Sequence, residues 1–427
     1  MVPADNKFNQ DLCDALLMRI IYNIAINFYC LALFLLSPFN KKAALWHRGR
    51  KGFFRKWKEF NAGGRKVIWF HCASLGEFEQ GQPVIEEIRN RQGNIFILLT
   101  FFSPSGYEIR KNNPHADAVC YLPSDTPSNA RRFIDTFRPE MAVFVKYEFW
   151  YNYIAALNRN KIPLFLISSN FRQNQIFFRW YGRWFSRILH KFSHIFVQNE
   201  DSVELLKSVG VKQVSVSGDT RFDRVYAIAS ATSDIPAAAA FSEGVFTIVA
   251  GSTWPPDHSM WARYMNETGH DVKLIIAPHE INENEVSELA NQFTLPVIRF
   301  SLSDRADLKT ARILVIDNIG MLSSLYSYGS LAYIGGGFGK NIHNILEACV
   351  FSVPVIFGPR YFNFREAVEL VGLGGAFAVE GYGDFSRRVD EMIINNNMLI
   401  KAGNTAGSYV KSGTGASSFI VDKILIF

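Results

Sequence analysis

Cysteine is scarce in this sequence, and no group of cysteines has the spacing of a structural site. The five cysteines among the 427 residues are odd in number, lie far apart and include no CxxC pair. This excludes a disulfide-stabilised scaffold or a zinc ribbon as the basis of the fold, and it fits a reducing compartment.

Several compact catalytic motifs are also missing. The sequence has no HExxH zinc motif, no GxSxG nucleophile elbow and no Asp-x-Asp pair, which is a common carboxylate handle for a metal-bound nucleotide. We therefore expect an activity that needs neither a metal ion nor a cofactor.

An excess of one charge sign is confined to a short N-terminal stretch. Residues 37–66 hold ten Lys and Arg against one Glu, whereas residues 67–427 hold 33 basic and 35 acidic residues. Because a nucleic-acid-binding protein spreads basic residues over a working face, we expect no nucleic-acid partner. A hydrophobic share of 48% and a charged share of 20% exclude a disordered or coiled-coil chain, and the length predicts two or three domains.

Residues 20–36 (IIYNIAINFYCLALFLL) form a run of seventeen uncharged residues, at the short limit for a membrane span. Basic residues follow this run rather than precede it, and no A-x-A-like site is present, which argues against a cleavable signal peptide. We expect residues 1–60 to form a membrane anchor with a basic juxtamembrane segment, and the body to lie in the cytoplasm. Contact with membrane lipids would run through residues 20–58. The alternative is a buried helix of a soluble domain, and the sequence leaves open whether the segment spans the bilayer or lies in it.

Four aromatic residues lie among the cations of this segment. They are Trp46, Phe53, Phe54 and Trp57, and the mixture suits a membrane interface with anionic lipid.

The body of the chain alternates short apolar runs with amphipathic helical segments, the pattern of a parallel sheet covered on both faces. The first series of predicted strands is 66–71, 95–100, 118–123, 141–146, 163–169, 194–199 and 214–219. The second series is 246–252, 272–279, 295–300, 311–317, 330–337, 353–358 and 375–380. We predict two α/β domains, 61–223 and 245–427, joined by an Ala- and Ser-rich linker over 224–244. Ligands of such sheets bind outside the carboxyl ends of the strands, which suggests a site in a cleft between the domains.

One motif with possible chemistry, His71-Cys-Ala-Ser-Leu-Gly-Glu77, joins a predicted strand to the predicted helix 77–91. Glu77 at a helix N-terminus could act as a general base, although the helix dipole would stabilise its charged form. The alternative is a first-turn cap with no chemical role.

The second predicted domain carries small or polar residues at three strand ends. These are Ala250-Gly-Ser-Thr253, Ala277-Pro-His279 and the glycine-rich Tyr333–Gly339, which is followed by Lys340-Asn-Ile-His-Asn-Ile-Leu-Glu347. The glycines would admit a phosphate, a helix opening near His343 would offer N–H donors, and Glu347 could accept ribose hydroxyls. Each motif alone fits an ordinary turn before a capped helix, but their convergence favours a nucleotide site.

These motifs, taken in order, resemble the 3-deoxy-D-manno-octulosonic acid (Kdo) transferases of lipopolysaccharide synthesis. The matching blocks are His71–Glu77, Ser103–Gly106, Tyr121–Asp125, Glu148–Trp150, Asn170–Arg172, Gly218–Asp223, Ala250–Thr253, His343–Glu347 and Phe357–Arg365. Four positions depart from the family's usual pattern: an acidic residue is frequent at Lys146, Pro at Tyr151 and Ile345, and Lys at Arg221.

The resemblance implies a GT-B-like fold, with two Rossmann-like parallel-sheet domains facing across a cleft and an N-terminal membrane-anchor helix. It implies an inverting glycosyltransferase at the inner membrane, on the cytoplasmic side. The donor would be CMP-Kdo and the acceptor a lipid A precursor, lipid IVA. In related folds the last helix, here within 416–427, crosses back to the first domain.

The resemblance also implies roles for individual residues. Glu77 would be the catalytic base, and Arg221 would stabilise the phosphate of the leaving CMP. The donor site would comprise Arg221, Gly251, Ser252, Thr253, Pro278, His279, Gly336, Gly337, His343, Asn344 and Glu347. The acceptor side and the cleft would comprise Ser74, Gly76, Ser103, Ser105, Gly106, Glu148, Asn170 and Arg172.

Two other readings stay open from the sequence. The chain could be another membrane-associated GT-B glycosyltransferase that uses a UDP- or GDP-sugar. Alternatively, it could be an inactive membrane-bound relative, a reading that the altered residues Lys146 and Ile345 motivate.

Overall fold

The computed structural model describes residues 4–231, 234–305 and 307–427. They form two compact domains. The first comprises the described residues up to Arg224 together with Gly415–Phe427, and the second comprises those between Val225 and Thr414.

The first domain is built on a seven-stranded parallel sheet in the order β3-β2-β1-β4-β5-β6-β7. Its strands are β1 (Lys66–Cys72), β2 (Ile95–Phe101), β3 (Ala118–Tyr121), β4 (Met141–Val145), β5 (Leu164–Ser169), β6 (His194–Val197) and β7 (Val214–Val216). The central strands are mostly apolar because both faces of the sheet are covered. In β1, Val67 and Trp69 enter one apolar core and Ile68 and Phe70 enter the other.

Helices cover both faces of this sheet. They are α1 (Ala4–Leu36), α2 (Lys41–Arg50), α3 (Phe53–Lys56), α4 (Leu75–Arg91), α5 (Pro104–Arg110), α6 (Pro127–Phe137), α7 (Tyr151–Arg159), α8 (Arg183–Leu189), α9 (Glu200–Ser208) and α10 (Thr220–Ser230). The final helix of the chain, Ala416–Ile424, also belongs to this domain, where Ile420, Val421 and Ile424 are buried in the same core as Phe70.

The second domain has its own seven-stranded parallel sheet, in the order β10-β11-β9-β8-β12-β13-β14. The strands are β8 (Phe246–Thr253), β9 (Val272–Pro278), β10 (Val297–Arg299), β11 (Ile313–Val315), β12 (Leu331–Ile334), β13 (Val355–Phe357) and β14 (Ala376–Ala378). Its helices are α11 (Pro236–Ser242), α12 (Pro255–Glu267), α13 (Glu283–Ala290), α14 (Leu322–Leu325), α15 (Leu346–Cys349), α16 (Arg365–Leu373), α17 (Tyr382–Ile394) and α18 (Asn396–Ser412), and we number the final helix of the chain α19.

All fourteen predicted strands coincide with observed strands, so the α/β assignment with two parallel sheets is confirmed. The range 224–244, predicted as a linker, is largely helical, since it holds the end of α10 and all of α11. Thr232 and Ser233 within that range lie outside the described residues.

Two of the four aromatic residues in the basic N-terminal stretch are buried, and the other two are half-buried. Trp46 and Phe53 are each only 6% exposed, and Phe54 and Trp57 pack against the core of the first domain. The cation Arg50 is drawn in with them, because its guanidinium donates to the carbonyl oxygens of Leu122 and Phe102, both at 2.8 Å. The aromatic and basic residues of this stretch therefore pack partly in the protein interior and lie partly at its surface.

Candidate active site

The carboxyl end of β1 positions Glu77. β1 ends at Cys72, and α4 begins three residues later at Leu75, with Ser74 as its N-cap. The Ser74 Oγ accepts the Glu77 N–H at 3.5 Å, and the Glu77 carboxylate accepts the N–H of Ala73. The turn thus fixes the carboxylate at the edge of the sheet where ligands of parallel sheets bind.

The environment of Glu77 favours its protonated form. Burial and the negative charge of Glu148 raise the pKa of Glu77 to about 8, whereas the Ala73 N–H and the Lys146 ammonium act in the opposite direction. The backbone N–H groups at the helix N-terminus do favour the charged form of Glu77, as expected, but burial and the like charge of Glu148 outweigh them. A carboxylate with a pKa near the working pH is suited to act as a general base.

Glu148 is held by a buried hydrogen-bonded chain. The Nε2 atom of His71 lies 2.9 Å from the Glu148 carboxylate, and its Nδ1 atom lies 2.8 Å from Oγ1 of Thr100. The indole N–H of Trp150 donates to the same Glu148 oxygen at 2.5 Å. His71 and Thr100 are fully buried and Glu148 nearly so, which fixes the second carboxylate relative to the first.

The loop after β2 lies against this turn. The Ser103 N–H donates to the Ala73 carbonyl at 2.7 Å, and Ser103 caps α5 by accepting the Ser105 N–H. A Cβ at Gly106 would collide with the Phe101 ring, so this glycine is required by packing, whereas Gly76 is exposed with open space around it. The assignment of these residues to an acceptor stays a prediction.

Three other predicted residues of the first domain already have protein partners. The Asn170 carbonyl accepts the Tyr147 hydroxyl at 2.7 Å, and the exposed Arg172 donates its backbone N–H to Gln175. The Arg221 guanidinium pairs with Asp219 at 2.7 Å. A phosphate would have to compete with Asp219 for Arg221.

In the second domain, the end of β8 is strained. Ser252 has a positive φ of 54°, and the pairing of β8 with β9 shifts in register between Gly251 and Thr253. A Cβ at Gly251 would collide with the Tyr326 hydroxyl, so this glycine serves the packing of the domain's own core. Thr253 is buried and lies 3.0 Å from a ring nitrogen of His258.

The glycine-rich turn after β12 is organised by Asp257. Its carboxylate accepts the Tyr333 hydroxyl at 2.6 Å, the Gly336 N–H at 3.0 Å and the Trp254 N–H at 2.8 Å. Gly336 has a φ of 90°, which favours glycine, and a Cβ at Gly337 would collide with the backbone of Gly358. Packing alone therefore accounts for a glycine at position 337, without the predicted role in admitting a phosphate.

Three rings stack at the strand ends of the second domain. The rings of Trp254 and His279 lie 4.6 Å apart, and those of His279 and His343 lie 4.4 Å apart. The Trp254 indole N–H donates to Nε2 of His343 at 3.2 Å. Burial and the neighbouring His279 lower the pKa of His343, which keeps its imidazole neutral. Pro278 ends β9 just before His279 and is buried.

The predicted helix opening near His343 begins later than expected and is short. α15 spans only Leu346–Cys349, and Asn344 precedes it by accepting the Leu346 N–H at 3.2 Å. The Asn344 amide also donates to Glu347 at 3.0 Å. Asn344 and Glu347 are therefore in direct contact at the start of this short helix, and His343 immediately precedes Asn344.

Sequence reasoning missed the residues that hold the site together. Trp150, Thr100, Trp254 and Asp257 received no role, and His71 was noted only as the start of a motif. Asp257 had a usable signal, because an acidic residue at the third position of a helix that opens with two prolines is typical of an N-terminal cap.

Comparison with known proteins finds similarity to one family of transferases. Residues 47–224 match the family model for 3-deoxy-D-manno-octulosonic-acid transferases. A transferase of this name from Aquifex aeolicus is 29% identical over 352 residues, covering 80% of this chain and 90% of the relative. Its counterpart from Haemophilus influenzae is 25% identical over 383 residues, covering 83% and 86%. In sequence, this chain is thus similar to proteins named 3-deoxy-D-manno-octulosonic acid transferase over about four-fifths of its length.

The fold agrees with a GT-B-like architecture. A UDP-GlcNAc 2-epimerase from Neisseria meningitidis, solved with UDP-GlcNAc bound, matches with a TM-score of 0.61 at 16% identity, over 85% of this chain and all of that one. At this identity the likeness establishes the fold alone. The sequence comparisons therefore find similarity to the same family that the sequence motifs resemble.

Proposed function

We propose that this chain transfers Kdo from CMP-Kdo to a lipid A precursor of the lipid IVA type, with inversion at the anomeric carbon and without a metal ion. The observation that carries the proposal is Glu77, a carboxylate fixed at the carboxyl edge of the first sheet with its pKa raised to about 8. The sequence likeness to Kdo transferases over about four-fifths of the chain supports the choice of donor.

In the proposed reaction, an acceptor hydroxyl oxygen attacks the anomeric carbon of Kdo. The bond from that carbon to the CMP phosphate oxygen breaks, and CMP leaves with the bonding electron pair. The ionised Glu77 takes the proton of the attacking hydroxyl, which avoids a positively charged oxygen in the transition state. The fixed Glu148 keeps the proton affinity of Glu77 high, so that the transfer is favourable.

The second domain would hold the nucleotide. The three-ring stack of Trp254, His279 and His343 offers a planar surface for the base or the ribose, and the Asn344–Glu347 pair offers polar partners. Arg221 would exchange its Asp219 partner for the donor phosphate.

The helix α1 supports a location at a membrane. Leu16–Leu36 is long and apolar enough to cross a bilayer, and none of it is deeply buried in the protein. We place the enzyme at the inner membrane with both domains in the cytoplasm, where a lipid acceptor could be reached.

A product assay tests the proposal. Purified protein in detergent receives CMP-Kdo and tetraacylated lipid A precursor, and the lipid is analysed by mass spectrometry. We expect a mass gain of one or more Kdo units, with or without a chelator. The control is the same protein with UDP- or GDP-sugars. Transfer from one of those sugars instead, or no transfer by protein that binds CMP, would contradict the proposal.

A further inference from the structure

The helix α1 contacts the rest of the first domain between Met18 and Phe34. The Tyr22 hydroxyl donates to Asp125 at 2.6 Å, and the Asn152 amide donates to the Asn23 side chain at 2.9 Å. Further along, the Phe34 ring lies 5.1 Å from that of His47. From Tyr22 to Phe34 the helix rises about 18 Å, more than half of a hydrocarbon core of about 30 Å.

A bilayer-spanning orientation conflicts with these contacts. If α1 crossed the membrane with them intact, the polar groups of Asp125 and Asn152 would enter the hydrocarbon with it, at a high cost in free energy. The opposite face of α1 is free of this problem. It exposes a stripe of large apolar side chains at helical spacing, namely Leu17, Ile20, Ile21, Ile24, Phe28, Leu31 and Leu35.

A second exposed aromatic element lies beside the docked part of α1. Trp180 is 87% exposed and Tyr181 58% exposed, in a short turn before α8. Trp184, four residues after Trp180, packs its ring 6.0 Å from the Tyr22 ring of α1. An exposed indole next to a phenol is typical of a membrane interface, where one part of each ring is apolar and the other wet.

Cations accompany both apolar elements. The segment 172–191 contains five Lys and Arg and no acidic residue, and Arg179 and Arg183 are exposed on either side of the aromatic pair. After α1, exposed cations continue along α2 and α3: Lys41, Lys42, Arg48, Lys51, Arg55 and Lys56. An apolar surface bordered by cations complements an anionic lipid headgroup layer.

We propose that the outer face of α1 and the Trp180–Tyr181 turn together bind one leaflet of an anionic bilayer, so that α1 lies in the membrane surface instead of crossing it. This rests on the membrane location in the proposed function, but its test reads lipid contact instead of transfer, so either can fail without the other.

Two-sided cysteine labelling tests the orientation of α1. The full-length protein is expressed with Cys13 and Cys30 replaced by Ser, since the remaining cysteines are buried. Single-cysteine variants D5C, before the apolar run, and K41C, after it, are treated with a membrane-impermeant maleimide in inside-out and right-side-out membrane vesicles. We expect both to react in the same vesicle type. Reaction of D5C and K41C in opposite vesicle types would show a span and overturn the proposal.

A fluorescence measurement tests the second contact. An environment-sensitive probe is attached to Y181C, and to E140C as a matched control, because Glu140 is exposed just before β4 at the opposite edge of the sheet. On vesicles of phosphatidylethanolamine and phosphatidylglycerol, we expect a blue shift at position 181 and none at position 140. The shift should weaken in the double variant R179Q/R183Q and on phosphatidylcholine alone. Equal emission at the two positions would overturn the lipid contact of the turn, and an unchanged shift on phosphatidylcholine would overturn its anionic character.

Discussion

The two domains share a fold but present different chemistry at the carboxyl ends of their strands. The first domain brings two carboxylates, Glu77 and Glu148, close enough that the charge of one raises the pKa of the other. The second domain presents neutral rings at the carboxyl ends of its own strands, where His343 is held uncharged and stacks on His279. In a parallel-sheet domain the fold fixes where the strand ends lie. The side chains at those ends determine whether a site there is suited to proton transfer or to binding a planar ligand.

The largest expected effect of a single substitution lies in the first domain. E77Q keeps the shape and the Ala73 hydrogen-bond acceptor but removes the base, so turnover should fall by about 10² to 10⁴. E87Q is the matched control, because Glu87 lies on the same helix and pairs with the exposed Arg91. Turnover and CMP binding are measured together; near wild-type turnover of E77Q would place the base elsewhere.

A smaller effect, and one of a different kind, is expected in the second domain. W254A removes one ring of the stack, and the loss of about 1–3 kcal/mol of stacking should raise the donor KM roughly tenfold or more, with little change in kcat. W254F keeps an aromatic ring but removes the N–H that donates to His343, and it should retain most of the donor affinity. If W254A instead lowered kcat at an unchanged KM, the proposal that the first domain supplies the base and the second binds the donor would be wrong.

The smallest effect separates packing from ligand binding at a glycine. G251A should lower the free energy of unfolding by about 1–3 kcal/mol, because the added methyl group collides with the buried Tyr326 hydroxyl. G372A is the control, since a Cβ at this helical glycine meets open space and should be neutral or stabilising. Thermal unfolding measures both. A change in donor KM at unaltered stability in G251A would restore the phosphate-admitting role.

The sheets could be predicted from the sequence and the polar contacts of the site could not. Strands such as β2 are buried at every position and apolar at all but Thr100, so each leaves a local signal. The pairing of His71 with Glu148 joins residues 77 positions apart and leaves none. The mixture of Trp46, Phe53 and Arg50 reads equally as a membrane interface or as a core in which an arginine lies over aromatic rings, and only packing distinguishes them.

The pH dependence of kcat/KM tests the central claim most directly, namely that Glu77 acts as a base tuned by Glu148. Because Glu77 must be ionised to accept a proton, kcat/KM should fall as pH drops through an apparent pKa near 8. E148Q removes the like charge, lowers the pKa of Glu77 and should move this acid limb to lower pH. A wild-type limb at the ordinary carboxylate pKa of about 4, or a limb that E148Q leaves in place, would contradict the account.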